Sequence, residues 1–587
     1  MISLKAKATP YRKLSMRDFI HGIDTFGDIQ DNPNYFLELD NVEFIEKDIS
    51  YRNGHSLIST AVGGQPTGHC IVYGNPNKLL VVKGKYLYYF NNGIGSNPTV
   101  VTSALLTNNS LKKALVNAKI MDMGTALLTS TITNTVLYTY KIEDSTKAWT
   151  INQWVGKAID IGSNGIAVIA SNTETEIFFE TELPSPPQTG ATYIIYNIVD
   201  GVIITNPKSG SETGSPITFS TSGTERVVDD AFSHFDFASI ACTYKERTFY
   251  AGFTGNEADA SKLRWSIRGL GEVCNQKNYL YVGNPSARFL DMQEINGMLV
   301  MFKEDGIFML KGYDEATFSI RQLSNIVPRT QGGIAKGENV IYFMSYDGVR
   351  KFTGYESLNL KPEFPFSETI KGELESLTYQ QLNAAVSTLY DQKYILQAGT
   401  KQFVLNLKES KIVGHPVWTT NTTVNTDLQN AYALVTFQEN STVKDVSICI
   451  ANSGSVYRRD YSNVDNTGNA ITWTVMTADI DIGDETIDKV IELVKMIGDN
   501  TNETFPITIS ISYDQGANWT TVGTTDRKTD NRMTEKFIRG QFSEKFRLKF
   551  VGTIPSGGLT KYGTSYKPIL ISRLTVYYLL KGLNIIK

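Results

Sequence analysis

The chain has 587 residues, 41% of them apolar and 20% charged, with a formal net charge of −4. Such a length holds several domains or one large repetitive β architecture, and the composition supplies a sizeable core and excludes wholesale disorder. The near-neutral charge excludes a surface built to coat nucleic acid, which needs clustered Lys and Arg to displace counterions, but is compatible with DNA passing through a channel.

The first residues, MISLKAKATPYRKLSMRDF, are basic but lack a continuous apolar stretch, so they do not read as a signal peptide. No run approaches the roughly 18 apolar residues of a membrane span, and a soluble protein made in the cytoplasm is expected. Cys70, Cys242, Cys274 and Cys449 lie far apart with no C-x-x-C pair, and read as buried thiols of a reducing compartment rather than a disulfide framework or a zinc site.

The stretch LDNVEFIEKDISYRNGHSL (39–57) reads as a strand, a charged turn and a short second strand ending in Arg-x-Gly. It stands before the first regular unit, so residues 1–60 are taken as an N-terminal arm with entrance strands. After it one pattern recurs: an apolar run, a short polar turn usually containing glycine, and a second apolar run. It is seen at 79–90, 126–140, 166–180, 298–310, 339–352, 394–407 and 446–459. Successive starts usually fall about 40–55 residues apart, the period of one four-stranded propeller blade. The expected fold is therefore all-β: a β-propeller of about six to eight blades, in place of a series of hairpins in β-sandwiches. Its blades would occupy 61–181 and 226–464, and the high aromatic content would fill the wedges between them.

Two segments break the rhythm. Residues 182–225 place the hairpin-like YIIYNIVDGVIIT between borders rich in Pro, Gly and Ser, and read as an inserted small β unit. Residues 366–390 carry helical periodicity, with Ser367 as the N-cap and Glu368 and Thr369 behind it. From 465 to 587 the strands AITWTVMTADIDIG, PITISISYDQGANWTTV, EKFRLKFVG and ISRLTVYYLL form a C-terminal antiparallel β module.

Enzyme chemistry finds little support along the chain. His21, His55, His69, His234 and His415 have no metal-ligand spacing, and there is no nucleophile elbow or Walker loop. QGGIAKG (331–337) lacks G-K-[ST] and precedes a strand, so it reads as a β turn. Asp229, Asp230, Glu304, Asp305 and Asp347 fall at apparent hairpin tips, where a solvated turn is the default. SYDQGANW (512–519) is similar to the Asp-box of sialidase-type propellers, with Asp514 bonding turn amides, Gly516 in the turn and Trp519 packed beneath it. In that family the box is structural, it recurs once per blade, and one copy stands here. No catalytic, cofactor-binding or metal-binding residue is assigned, and no cofactor is expected.

NPNYFLELDNVEFIEKDISYRNG resembles the N-terminal signature of tail proteins from short-tailed bacteriophages, through Asn41, Val42, Phe44, Arg52 and Gly54. LRWSIRGLGEV, then FLDMQEINGMLVMFKEDGIFMLKGY, then GGIAKGENVIYFMSYDGVRKFTGYES (263–357) are similar in order to the packaged-DNA stabilisation and tail-nozzle proteins, whose Ser-x-Asp-Gly-Val hairpin matches Ser345, Asp347, Gly348 and Val349. FSEKFRLKFVG and ISRLTVYY resemble their closing module. The resemblance implies a structural protein of the virion tail, assembled in the host cytoplasm. It would form a homo-oligomeric ring, hexameric in that group, beneath portal and adaptor proteins. Tail fibres or tail-tip proteins would be further partners, with double-stranded DNA in transit through the channel and no membrane span. Asn41 and Arg52 would pin the arm to the propeller, and residues 1–60 and 182–225 would supply contacts between subunits or to the adaptor. The alternatives are a receptor-binding or carbohydrate-recognition propeller and, behind it, a sialidase-like glycosidase.

Overall fold

In the computed structural model the chain is all-β, and the longest helix among the described residues is Leu407–Val413. The structure describes residues 12–25, 35–59, 70–73, 78–83, 86–90, 99–100, 115–134, 136–205, 217–220, 225–227, 238–253, 259–337, 339–353, 365–422, 429, 431–437, 446–451, 455–459, 470–480, 489–526, 533–537, 542–555, 558–561 and 567–580. No described helix is long and apolar enough to cross a membrane.

Most strands pair with their sequence neighbours. Three four-stranded antiparallel sheets run in chain order: Cys70–Tyr73 to Thr99–Val100, Ile240–Tyr244 to Tyr279–Tyr281, and Phe289–Ile295 to Ser319–Ser324. Ile334–Lys336, Ile341–Ser345 and Gly348–Phe352 make a three-stranded one, and Val386–Tyr390 to Trp418–Thr422 are again in order. Ala431–Phe437, Val446–Ala451 and Val456–Arg459 take their fourth strand, Ser56–Ser59, from the other end of the chain.

Burial explains why the hairpins stand out in the sequence. Met298–Lys303 is buried along its whole length and Gly306–Lys311 all but its last residue, whereas the outer strand Ser319–Ser324 is largely exposed. A middle strand covered on both faces must be apolar throughout, while an outer strand can be polar. The first strands contact one another in succession. Cys70–Tyr73 meets Leu115–Thr131, which meets Ile240–Tyr244, which meets Phe289–Ile295; Ile334–Lys336 meets Val386–Tyr390, which meets Ala431–Phe437, and the last returns to Cys70–Tyr73. Between Phe289–Ser324 and Ile334–Phe352 the link is a shared core in which the rings of Phe302 and Phe343 lie 5.6 Å apart.

The inserted unit is divided differently from the 182–225 expectation. TYIIYNIVDGVII is one continuous strand, Thr192–Ile204, antiparallel to Leu115–Thr131. Its Asp200-Gly201 pair, which reads as a turn, lies mid-strand. A Cβ on Gly201 would stand 2.3 Å from Ile120 Cδ1 and 2.7 Å from Phe219 O, so the glycine serves the close approach of neighbouring strands. The near half of this ribbon pairs with Ile217–Ser220, which carries Glu225–Val227. The far half carries Lys141–Glu143, Ala158–Asp160, Ile166–Asn172 and Glu176–Phe179 around a core of its own that includes Ile132, Trp149, Ile159, Phe179 and Tyr193. Residues 206–216 and 221–224 lie outside the described residues.

The helix expected at 366–390 is broken into Glu368–Ile370, Lys371–Glu375 and Tyr379–Asn383, and Val386–Tyr390 is strand. Ser367 caps nothing, since its Oγ accepts the Val349 amide at 2.9 Å; the capping box is made by Thr378 with Gln381.

The N-terminal residues do not form an arm apart from the C-terminal module. Arg12–Met16 pairs with Arg573–Leu580, and Phe36–Asp40 lies between Trp418–Thr422 and Ile471–Thr477. Two sheets result, one holding Lys489–Ile497 and Arg573–Leu580, the other Ile471–Thr477, Arg547–Ile554 and Pro506–Ser512. Their apolar faces share a core containing Val494, Met496 and Val576 from the first and Val475, Ile509 and Phe550 from the second.

Candidate functional site at the junction of the chain ends

Asn41 ends one strand and starts another in the left-handed region, at φ 57°, which Asn adopts at lower cost than most side chains. This kink lets the chain leave the sheet of Phe36–Asp40 and enter the hairpin Val42–Ile45/Asp48–Tyr51. The buried Asn41 donates its amide to Thr420 O at 2.8 Å and Nδ2 to Thr472 O at 2.6 Å. Arg52, 2% exposed, donates Nε to Asn41 Oδ1 at 2.7 Å and Nη1 to Asn53 O at 2.9 Å. Burial, followed by repulsion from Arg459, pulls the Arg52 pKa down to about 9. Gly54 is buried in the segment that leads on to Ser56–Ser59. One asparagine thus touches the Trp418–Thr422 sheet, the C-terminal module and Arg52.

Beside it lies a buried charge cluster that nothing in the sequence spacing reveals. Glu43 takes Lys567 Nζ at 2.5 Å on one oxygen and Lys393 Nζ at 3.5 Å on the other. Lys567 also donates to Asn53 Oδ1 at 3.2 Å and sits 4.4 Å from the Tyr51 ring centroid. Burial would raise the Glu43 pKa, but Lys567, Lys393 and Arg459 outweigh it and hold the carboxyl at about 2. Lys567 must share that carboxylate, so burial prevails and takes it down to about 8. The groups come from residues 43, 393, 459 and 567, three cations gathered around one carboxylate, with Asp391 as a second partner of Lys393 at 3.4 Å.

A third pin joins the N-terminal segment to the loop after Leu407–Val413. His21 Nδ1 and His415 Nε2 stand 3.3 Å apart with rings stacked at 5.5 Å, and Tyr35 packs against both. Burial lowers the His21 pKa against the pull of Asp18. The described residues contain no group of three or more His, Cys, Asp or Glu placed to hold a metal ion. His69, His234, Asp229 and Asp230 lie outside the described residues.

The two motif turns are built by their own side chains. Ser345 Oγ donates to Asp347 and bonds Gly348 O at 2.7 Å, and Asp347 pairs with Arg350. Gly348 has φ 133°, and a Cβ there would meet Ser367 Oγ at 2.3 Å and Pro365 Cβ at 2.9 Å. Gly348→Ala is expected to destabilise the protein by about 1–3 kcal/mol in urea denaturation, from backbone strain and overpacking together. In the other turn Asp514 accepts the Asn518 amide at 2.8 Å and the Ser512 hydroxyl at 2.7 Å, which holds its pKa near about 2. Gly516 takes φ 93° and Trp519 is half-buried beside it, with Lys549 Nζ 5.8 Å from its ring. Glu304 and Asp305 accept the amides of Arg288 and Asn284. Cys242, Cys274 and Cys449 form no disulfide.

A cleft of about 1170 Å³ lies between the Leu115–Thr131/Thr192–Ile204 ribbon and the sheet starting at Ile240. Of its charged lining, Lys119 pairs with Asp200 at 2.8 Å and Arg268 with Glu246 at 2.6 Å, and Glu180 lies beside them.

No family model matches the chain, and no curated protein matches it. Among solved structures, an exo-beta-1,3-galactanase from Phanerochaete chrysosporium with galactose is similar over 57% of this chain and 94% of that one, at 10% identity and a TM-score of 0.23. That likeness is too slight to carry an argument about function.

Proposed function

We propose that the chain is a structural protein of a phage tail, a subunit of a homo-oligomeric ring that extends the DNA channel and retains packaged DNA until ejection. The observation that carries this reading is the junction of the chain ends, where Asn41, Arg52 and Glu43 tie the Val386–Thr422 strands to the two-sheet module. A part that must hold its shape under the pressure of packed DNA is served by such interlocking. In this reading the successive sheets are the blades of a propeller, seven in number, closed by Ser56–Ser59 completing the blade of Ala431–Arg459. The circular succession of first-strand contacts supports it.

The unit on the far half of the ribbon is the element that reaches a neighbouring subunit or the adaptor. Val136, Leu137, Tyr140, Ile151 and Val155 are exposed on it, a concentration of apolar side chains typical of contact surfaces. The ribbon closes easily beneath it, because Ile132 N donates to Ala191 O at 2.9 Å. Replacing 133–190 by a two-residue turn is expected to abolish ring formation, with thermal unfolding checking that the subunit stays folded although Ala158 and Val168 leave the core they share with Ile267 and Leu270. Particle images of the intact protein test the whole reading. Rings, six-fold in the resembled family, are expected; a monomer or trimer that binds cell-surface glycan would favour the receptor-binding alternative instead.

A further inference from the structure

Arg329 lies between two tyrosines that face solvent. Its Cζ is 5.5 Å from the Tyr346 ring centroid and 4.9 Å from that of Tyr379, and the rings are 62% and 65% exposed. The arginine is held from behind: its amide donates to Met344 O at 2.7 Å and its Nε to Asn383 Oδ1 at 2.9 Å. Nη1 and Nη2 have no hydrogen-bond partner among the described residues, and neither do the two phenol hydroxyls. Tyr346 is the turn residue of the hairpin clamped by Ser345, Asp347 and Gly348, and Tyr379 opens the helix that Thr378 and Gln381 cap. Three separate segments therefore present one planar cation and two aromatic rings in fixed positions on the surface.

We propose that this cluster is a binding site for a saccharide that bears a carboxylate. The two Nη groups, unpartnered among the described residues, form the fork that grips a carboxylate through paired hydrogen bonds. The outward faces of the tyrosine rings suit the C–H face of a pyranose, and their hydroxyls suit its ring hydroxyls. A bare anion would use the fork and leave the rings idle, whereas a neutral sugar would use the rings and leave the fork idle. An acidic sugar unit on a longer polymer engages both.

The test is binding of the full-length protein to an immobilised panel of oligogalacturonate, alginate oligomers and sialyllactose, alongside methyl-esterified oligogalacturonate, neutral galactan and polyphosphate. At least one carboxylated oligosaccharide is expected to bind, with its neutral or esterified counterpart weaker by roughly tenfold or more, as loss of a charge-assisted pair implies. Arg329→Ala and Tyr379→Ala should each weaken that binding. Arg329→Lys should restore it only in part, and thermal unfolding should show each variant folded. Absence of binding across the carboxylated panel, equal binding of the esterified form, or unchanged binding by folded Arg329→Ala would overturn the proposal. Preference for polyphosphate would overturn it too, by making the site a plain anion site.

Discussion

Replacing Arg52 with alanine is expected to lower the stability of the protein by about 2–3 kcal/mol, the cost of leaving a buried acceptor unsatisfied together with the lost packing. Arg52 is 2% exposed, and its guanidinium fills the space among Asn41, Asn53 and the neighbouring sheet. Without it Asn41 keeps its bond to Thr472 O but loses the donor to its own Oδ1, deep in the protein. Asp40 loses a cation as well; burial already raises its pKa, and bonds from Thr420 and Thr422 together with the Arg52 charge work against that rise. Arg52→Lys should fall between, since it keeps the charge and loses the fork. Asn41→Gly should cost less than Asn41→Ala, because φ 57° suits glycine while both lose the same hydrogen bonds. Urea denaturation reads all four. A midpoint unchanged by Arg52→Ala would show that the junction is not what holds the chain ends in place.

The hairpins were legible because middle strands are buried on both faces and the chain writes them as unbroken apolar runs. Asn296-Gly297, both at positive φ, is a turn that any reader of the sequence would mark. Lys245-Glu246 and Asp391-Gln392 adopt the same left-handed pair without a glycine, so their turns could not be marked from residue type. Outer strands such as Ser319–Ser324 carry no alternation to read. Asp200-Gly201 misled in the opposite direction, because glycine can serve close packing as well as turns. The Asn41–Arg52 contact was foreshadowed by a resemblance in which both residues stand out, only 11 positions apart. Glu43 meeting Lys393 and Lys567 could not be, because those pairs span 350 and 524 positions and a lone Glu in a strand reads as solvent-facing. The Arg329 clamp was hidden because a loop, a hairpin turn and a helix start, 17 and 33 positions apart, supply its three residues and no spacing pattern links them.

Glu43→Gln is expected to destabilise the protein at neutral pH by about 3–5 kcal/mol, and the loss should vanish in acid. The carboxylate is shared by Lys567 and Lys393, with side chains only 14–21% exposed, so its removal leaves Lys567 without its carboxylate beside a Lys393 that keeps only Asp391, at 3.4 Å. The pH dependence follows from the same geometry. In the fold Glu43 stays ionised down to about pH 2, whereas in the unfolded chain it protonates near the ordinary glutamate value of 4.5. Between those values the unfolded chain binds the extra proton, so stability is lost as the pH falls from 4.5 toward 2. Across that window this one group accounts for about 3 kcal/mol. Urea denaturation of both proteins at pH 7, 5, 4 and 3 should therefore show two curves converging as the pH drops, the native protein losing what the variant never had. Asp514 gives the contrast. Its carboxyl is also held near about 2, but by bonds in a fully exposed turn, where water and salt screen the interaction. Asp514→Asn should leave the acid profile nearly parallel to that of the native chain. Were Asp514→Asn to flatten the profile and Glu43→Gln to leave it intact, the acid sensitivity would belong to surface turns, and the buried cluster would hold nothing that protons can release.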